Sequence, residues 1–277
     1  MPTAESRPGG AVTLLGAPSD ANSSFLRGAA AAPREIRAAL HSPPANLWTE
    51  TGVDLGVEGR LRDAGDLELG PNGDDWGKLE TGVRERLVAG ERLIVLGGDH
   101  AISYPVVRAH REVLGPFSIL HFDAHSDLYH DFEGNPHSHA SPFARIMEEE
   151  AATRLVQVGI RTLNDHLREQ NQRFGVECVE MSEWERIHDV VLEGDVYVSV
   201  DLDVLDPAFA PGVSHWEPGG ASTRQVLEVI HSLQRDSVRI VGADVVELNP
   251  ERDPSGMSAM VAARITRELA GVILARS

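Results

Sequence analysis

The sequence predicts an α/β fold, a mostly parallel sheet with helices on both faces. Three observations predict it. Short apolar runs alternate with segments of helical spacing along the whole 277-residue chain, as βαβ units do. The runs are almost wholly apolar, as strands covered on both faces must be. Four of them are followed at once by acids or imidazoles, and an open parallel sheet binds its ligands beyond the carboxyl ends of its strands.

The elements follow in order. Ala11, Val12, Thr13, Leu14 and Leu15 make a strand closed by Gly16. Residues 33–40 carry helical spacing, and Pro33 suits a first turn. A second helix covers 76–89, and a strand at 93–96 stops at Gly97-Gly98. Helix 102–114 leads to a strand at 117–120, then to a long polar stretch, then to helix 143–150. Strand 155–158, a helix through Arg173, strand 196–200, helix 222–233, strand 240–243 and a closing helix over 257–274 complete the series. No repeat or domain linker interrupts it, and the Pro-rich loop at 42–46 is too short to separate domains. One domain over residues 1–277 is expected.

Composition narrows the function. With 43 Asp and Glu against 25 Lys and Arg, the formal net charge is −18. That disfavours nucleic acid and anionic membrane as partners and suits a cationic substrate or metal ions. The opening MPTAESRPGGAVTLLG has no basic start before a long apolar run, so no signal peptide is expected. Cys178 is the one cysteine. It permits no intrachain disulfide, reads as a small core residue, and points to a reducing, cytoplasmic location.

The chemistry sits at the strand ends. These are Gly97-Gly98-Asp99-His100, Asp123-Ala124-His125-Ser126-Asp127, Asp201-Leu202-Asp203, and Asp244 followed by Glu247. A parallel sheet brings them to one edge. Alternate residues in Asp123-x-His125-x-Asp127 and in Asp201-x-Asp203 would share one side of an extended segment. Two imidazoles among carboxylates favour Mn²⁺ or Mg²⁺ over a thiolate-rich zinc site. So many anionic ligands exceed the need of one ion, and two ions sharing carboxylates would balance them, with a water between them made acidic. A single such motif is more often a turn or a helix cap; several at successive strand ends are not.

GGDHAIS, HFDAHSD, SVDLDVLDP and DVVELNP resemble the four signatures of the ureohydrolases, the family of arginase and agmatinase. The resemblance spans nearly the whole chain, from NSSFLRGAAAAPREIR to GMSAMVAARITRELA. EGNPHSHASPFARIME, VGIRTLNDHLREQNQRFGVE and APGVSHWEPGG are similar to the plant-type arginases. The resemblance implies a three-layer α/β/α fold with two Mn²⁺ ions. It implies His100, Asp123, His125, Asp127, Asp201 and Asp203 as ligands, with Asp123 and Asp201 bridging. It also implies hydrolysis of a guanidino group to urea and an amine, and a homotrimer or homohexamer.

The residues suit that reaction. A guanidinium is a poor electrophile and needs a strong nucleophile. Asp127 would hold it and pass its proton to the leaving amine. Glu247 would pair with the guanidinium. His139 matches the histidine thought to shuttle protons, with His137 the competing candidate. His215 is a candidate guanidinium contact. Asn135 and Ser138 match positions that in arginases meet the α-carboxylate and amino group. His130 and Asp131 read as solvated loop residues, and His121 as a histidine behind the ligands. L-Arginine is the expected substrate, with agmatine, formiminoglutamate or another guanidino acid as alternatives. A two-metal phosphoesterase would want Lys or Arg at these motifs, and they have none.

Overall fold

A computed structural model describes residues 10–235 and 237–275. Most of the opening segment read as lacking a signal peptide, residues 1–9, lies outside them. Among the described residues, eight strands form one sheet in the order β2-β1-β3-β8-β7-β4-β5-β6. They are β1 (Val12–Ala17), β2 (Leu61–Asp66), β3 (Arg92–Gly97), β4 (Ser118–Phe122), β5 (Arg154–Ile160), β6 (Glu177–Glu180), β7 (Gly194–Asp201) and β8 (Val238–Val246). Every neighbouring pair is parallel. The helices are α1 (Ala32–Leu40), α2 (Trp76–Val88), α3 (Ser103–Leu114), α4 (Pro142–Glu148), α5 (Asp165–Phe174), α6 (Thr223–Ser232) and α7 (Met257–Leu274).

Period-two alternation splits the core between the two faces of the sheet. Leu14, Ile94, Leu120, Val156 and Val198 pack with α1, α6 and α7. Leu15, Val95, Ile119, Leu155 and Tyr197 pack with α2, α3 and α4. Both faces are covered, so the central strands read as continuous apolar runs, and the architecture is the expected α/β/α sandwich. Local signals agree. Ser222 and Gln225 form a reciprocal cap at the start of α6, and Asn164 accepts the Leu167 N–H at the start of α5.

Two departures occur at the edges. The sequence reading has no strand at β2, LRDAGD, because this edge strand has no fully buried residue and so no apolar run. Cys178 lies on edge strand β6 and is half-buried, not a core residue. Burial and the charge of Glu180 push its thiol up to about 11.

Candidate active site

The four strands that carry the acids and imidazoles, β3, β8, β7 and β4, are consecutive neighbours at the centre of the sheet. His121, Ser199 and Asp244 stand side by side in register across β4, β7 and β8. Their carboxyl ends therefore deliver residues 99–100, 123–127, 201–203 and 247 to one place. Gly98 makes the turn after β3 possible. A Cβ there would lie 1.7 Å from the Ser19 carbonyl oxygen, while the Gly98 carbonyl accepts the Glu247 N–H at 2.9 Å.

The six expected ligands converge. His100 Nδ1 lies 3.2 Å from Asp123 Oδ2, 3.0 Å from Asp127 Oδ2 and 3.1 Å from Asp201 Oδ2. His125 Nδ1 lies 3.0 Å from Asp203 Oδ2 and 3.5 Å from Asp123 Oδ1. Two groups compact enough for an ion, His100 with His121 and Asp123, and Asp123 with His125 and Asp203, share Asp123. These residues do not share one side of an extended segment, however. β4 ends at Phe122, and Asp127 has φ 49°. Asp201 caps a 3₁₀ turn, its Oδ1 accepting the Asp203 N–H at 2.8 Å. The carboxylates meet by turns, not by a shared face of extended chain.

His100 tests whether these residues suit a metal. Asp244 accepts from Ser199 Oγ at 2.6 Å, from Tyr197 Oη at 2.8 Å and from Ser103 Oγ at 2.9 Å. Ser199 spends its proton there, so it accepts from His100 Nε2 at 3.0 Å. That puts a proton on Nε2 and turns Nδ1 toward three carboxylates, where it has no aligned hydrogen-bond partner. A buried ring nitrogen facing three carboxylates without a partner is the arrangement a divalent cation satisfies. Burial and the charges of Asp203 and Asp123 push Asp201 well above the usual carboxylate range; burial and the charge of Asp123 push Asp127 up too. Asp244, grouped with the strand-end acids by sequence, stands behind them and orients His100. His121 does the same for Asp123, with Nε2 2.8 Å from Oδ2 and Nδ1 held by Gln157 at 3.0 Å.

A cavity of about 230 Å³ opens beside the ligands, lined among others by His125, Asp127, Asp201, Asp203, His139, His215 and Glu247. Glu247 Oε1 accepts the His100 N–H at 2.9 Å and faces His139 Nδ1 at 2.8 Å. Its Oε2 is buried without a partner. Burial opposes ionisation of Glu247, but the charge and hydrogen bond of His139 hold it below its ordinary value. Burial likewise opposes charge on His139, yet Glu247, Asp127 and Asp99 push it up to about 9. His137 is elsewhere, stacked on Tyr104 with centroids 5.9 Å apart and next to Trp76.

The structure does not place Asn135 and Ser138 on the cavity. Asn135 donates to Asn22 Oδ1 and accepts from the His137 N–H. Ser138 is buried and accepts from Ala140 N–H. Both brace the loop, as Asn and Ser often do. His130 is exposed beside Glu148, and Asp131 receives the Gly134 N–H in its own turn. The sequence reading missed Ser24, Thr162 and Glu217, which line the cavity, and buried Asp99, which accepts the Asn22 N–H. Only Asp99, inside GGDH, carried a signal.

The sequence model of the Arginase family matches residues 10–271. The chain belongs to the arginase family. It is 53% identical to "Arginase 1, mitochondrial" of Arabidopsis thaliana, over 94% of this chain and 80% of that protein. It is 52% identical to "Arginase 2, chloroplastic/mitochondrial" of the same plant, over 93% and 79%. Among solved structures, the arginase from Medicago truncatula superposes with a TM-score of 0.87 at 45% identity, covering 96% of this chain and 88% of that one. The names of these arginase relatives overturn the cytoplasmic location read from the sequence. A lone thiol excludes an intrachain disulfide but does not tell one reducing compartment from another.

Proposed function

We propose that this arginase-family hydrolase is a binuclear manganese enzyme that converts L-arginine to L-ornithine and urea. The observation that carries the substrate side is Glu247 Oε2, buried beside the metal ligands and without a partner. A planar cation with several N–H donors completes it. His100, Asp123, His125, Asp127, Asp201 and Asp203 would hold the ions, Asp123 and Asp201 shared. When bound, two divalent cations supply a water acidic enough to serve as nucleophile near neutral pH.

The chain's own residues do the rest. Glu247 orients the guanidinium so that its carbon faces the ligands. Asp127 holds the attacking water and carries its proton to the leaving amine as the C–N bond breaks. His139, charged and hydrogen-bonded to Glu247, is placed to supply or remove a proton at the same point. His215 closes the cavity, its ring centroid 5.0 Å from that of His139; burial and the His139 charge lower its pKa and favour the neutral imidazole.

One observation favours agmatine as a second reading. Among the described residues, no Lys or Arg lines the cavity, whereas Glu217 does. An acid there suits an ammonium, which both arginine and agmatine carry, and offers nothing to a carboxylate. The same absence disfavours formiminoglutamate. Initial rates of urea release from L-arginine and agmatine by the Mn²⁺-loaded protein separate the two. A higher kcat/KM for L-arginine is expected; a higher value for agmatine would replace the substrate and keep the mechanism. The proposed assembly is a homotrimer or homohexamer, which light scattering reads directly. A formal net charge of −18 goes with no nucleic-acid partner, and among the described residues no helix is long and apolar enough to cross a membrane.

A further inference from the structure

The segment between β1 and α1 reaches the site from outside the strand-end motifs. Asn22 fastens it. Its N–H donates to Asp99 Oδ2 at 2.9 Å, and its side-chain amide donates to the Gly73 carbonyl at 2.9 Å. Its Oδ1 accepts from Asn135 Nδ2 at 3.1 Å, and its carbonyl accepts the His139 N–H at 3.1 Å. Two residues on, Ser24 Oγ lies 2.9 Å from His139 Nε2. Ser24 is exposed and also lines the cavity, whereas His139 is 8% exposed.

The two nitrogens of His139 therefore face opposite partners. Nδ1 meets Glu247 Oε1 at 2.8 Å, inside the site. Nε2 meets the hydroxyl of a solvent-exposed residue. The groups facing this ring are Glu247 from the end of β8, Asp127 and Asp99 from the ends of β4 and β3, and His215 from the loop before α6. The three acids favour the imidazolium, in which both nitrogens donate. Ser24 Oγ then accepts from Nε2, and its own proton is free for solvent. In the neutral ring that carries its proton on Nδ1 alone, Nε2 is an acceptor, and the hydroxyl can rotate to donate to it and restore the imidazolium. One proton enters at Oγ as another leaves Oγ for Nε2, and no electrons change hands.

We propose that Ser24 is the relay between bulk water and His139, a positioning residue that acts through the imidazole. The role of His139 in turnover rests on the arginase reading above; the Ser24–His139 contact does not.

The test uses Ser24→Ala and Ser24→Thr in the full chain. Steady-state urea release from L-arginine by Mn²⁺-loaded protein gives kcat and KM. An NMR titration of His139 in metal-free protein gives a readout independent of turnover. For Ser24→Ala in weak buffer, kcat is expected to fall about tenfold with KM within about twofold, and added imidazole to restore it. The His139 midpoint is expected to drop by about half a pH unit, since the charged ring loses an acceptor. Ser24→Thr, which keeps the hydroxyl, should behave as wild type in both. An unchanged kcat, or a raised KM at unchanged kcat, would overturn the relay, the second outcome making Ser24 a substrate contact. An unmoved His139 midpoint would overturn it as well. Wild-type protein that releases no urea from L-arginine or agmatine sinks the arginase reading instead, and the His139 midpoint then decides the contact on its own.

Discussion

Asp127 and Glu247, the carboxylates proposed to act on water and substrate, both sit at positive φ, 49° and 63°. Such backbone costs on the order of 1–3 kcal/mol for a non-glycine residue and persists only where surroundings hold it. For Glu247 the holders are the Gly98 carbonyl on its N–H and the His100 N–H on its carboxylate. Glu247→Gln keeps the shape and removes the charge. It is expected to lower kcat/KM for L-arginine by roughly 10²-fold or more while metal content, read by elemental analysis, stays at the wild-type level. Gly98→Ala meets a backbone carbonyl that cannot swing aside, and should cost about 2–3 kcal/mol in denaturant unfolding. At this scale the strand-end cluster was legible because closely spaced Asp and His after apolar strands are chemically distinctive. Ser24 was not, since a serine in an NSS run is the same residue whether it faces solvent or an imidazole. Asn135 and Ser138 were ambiguous for a related reason: loop-bracing and ligand-reading use the same side chains.

β3, β8, β7 and β4 were readable because strands covered on both faces must be apolar throughout, and their acidic ends break that pattern abruptly. β2 was not, because an edge strand in water needs no apolar run. The set Asp123, His125, Asp127 was reached by an argument from alternation that the turn after β4 does not obey; what unites these residues is where the strand stops. The elements also carry a layer that no spacing shows. β7 and β8 set Ser199 and Asp244 in register, so that they fix the His100 ring. Ser199→Ala frees the ring, and metal affinity by calorimetry is expected to weaken about 10–100-fold with the fold, read by circular dichroism, unchanged. Wild-type affinity in that variant would show that the ring is held by its other contacts.

For the whole molecule, the buried acids make stability depend on pH. Asp99 is fully buried, and burial with the Glu247 charge pushes its carboxyl up to about 7 from an ordinary value of 3.8. Between those two values the folded chain holds a proton that the unfolded chain has lost. Its contribution is therefore present below 3.8 and lost as pH rises through about 7. In metal-free protein, Asp99→Asn is expected to raise Tm at pH ~8 and to leave it near the wild-type value at pH ~4. An equal shift at both values would mean that packing, not charge, is what the substitution changes. The fold class was legible at this scale because alternation of strand and helix along the chain has few packed solutions. The compartment was not, because the chemistry of one thiol does not encode it.

The central claim is that the strand-end cluster of His100, Asp123, His125, Asp127, Asp201 and Asp203 is a metal centre that hydrolyses a guanidino group. The most direct measurement is urea release from L-arginine by protein stripped with chelator, with metal content measured, and then reloaded with Mn²⁺. Loss of activity on stripping and its return at two ions per chain is the expected result. Full activity in protein shown to hold no metal would contradict it.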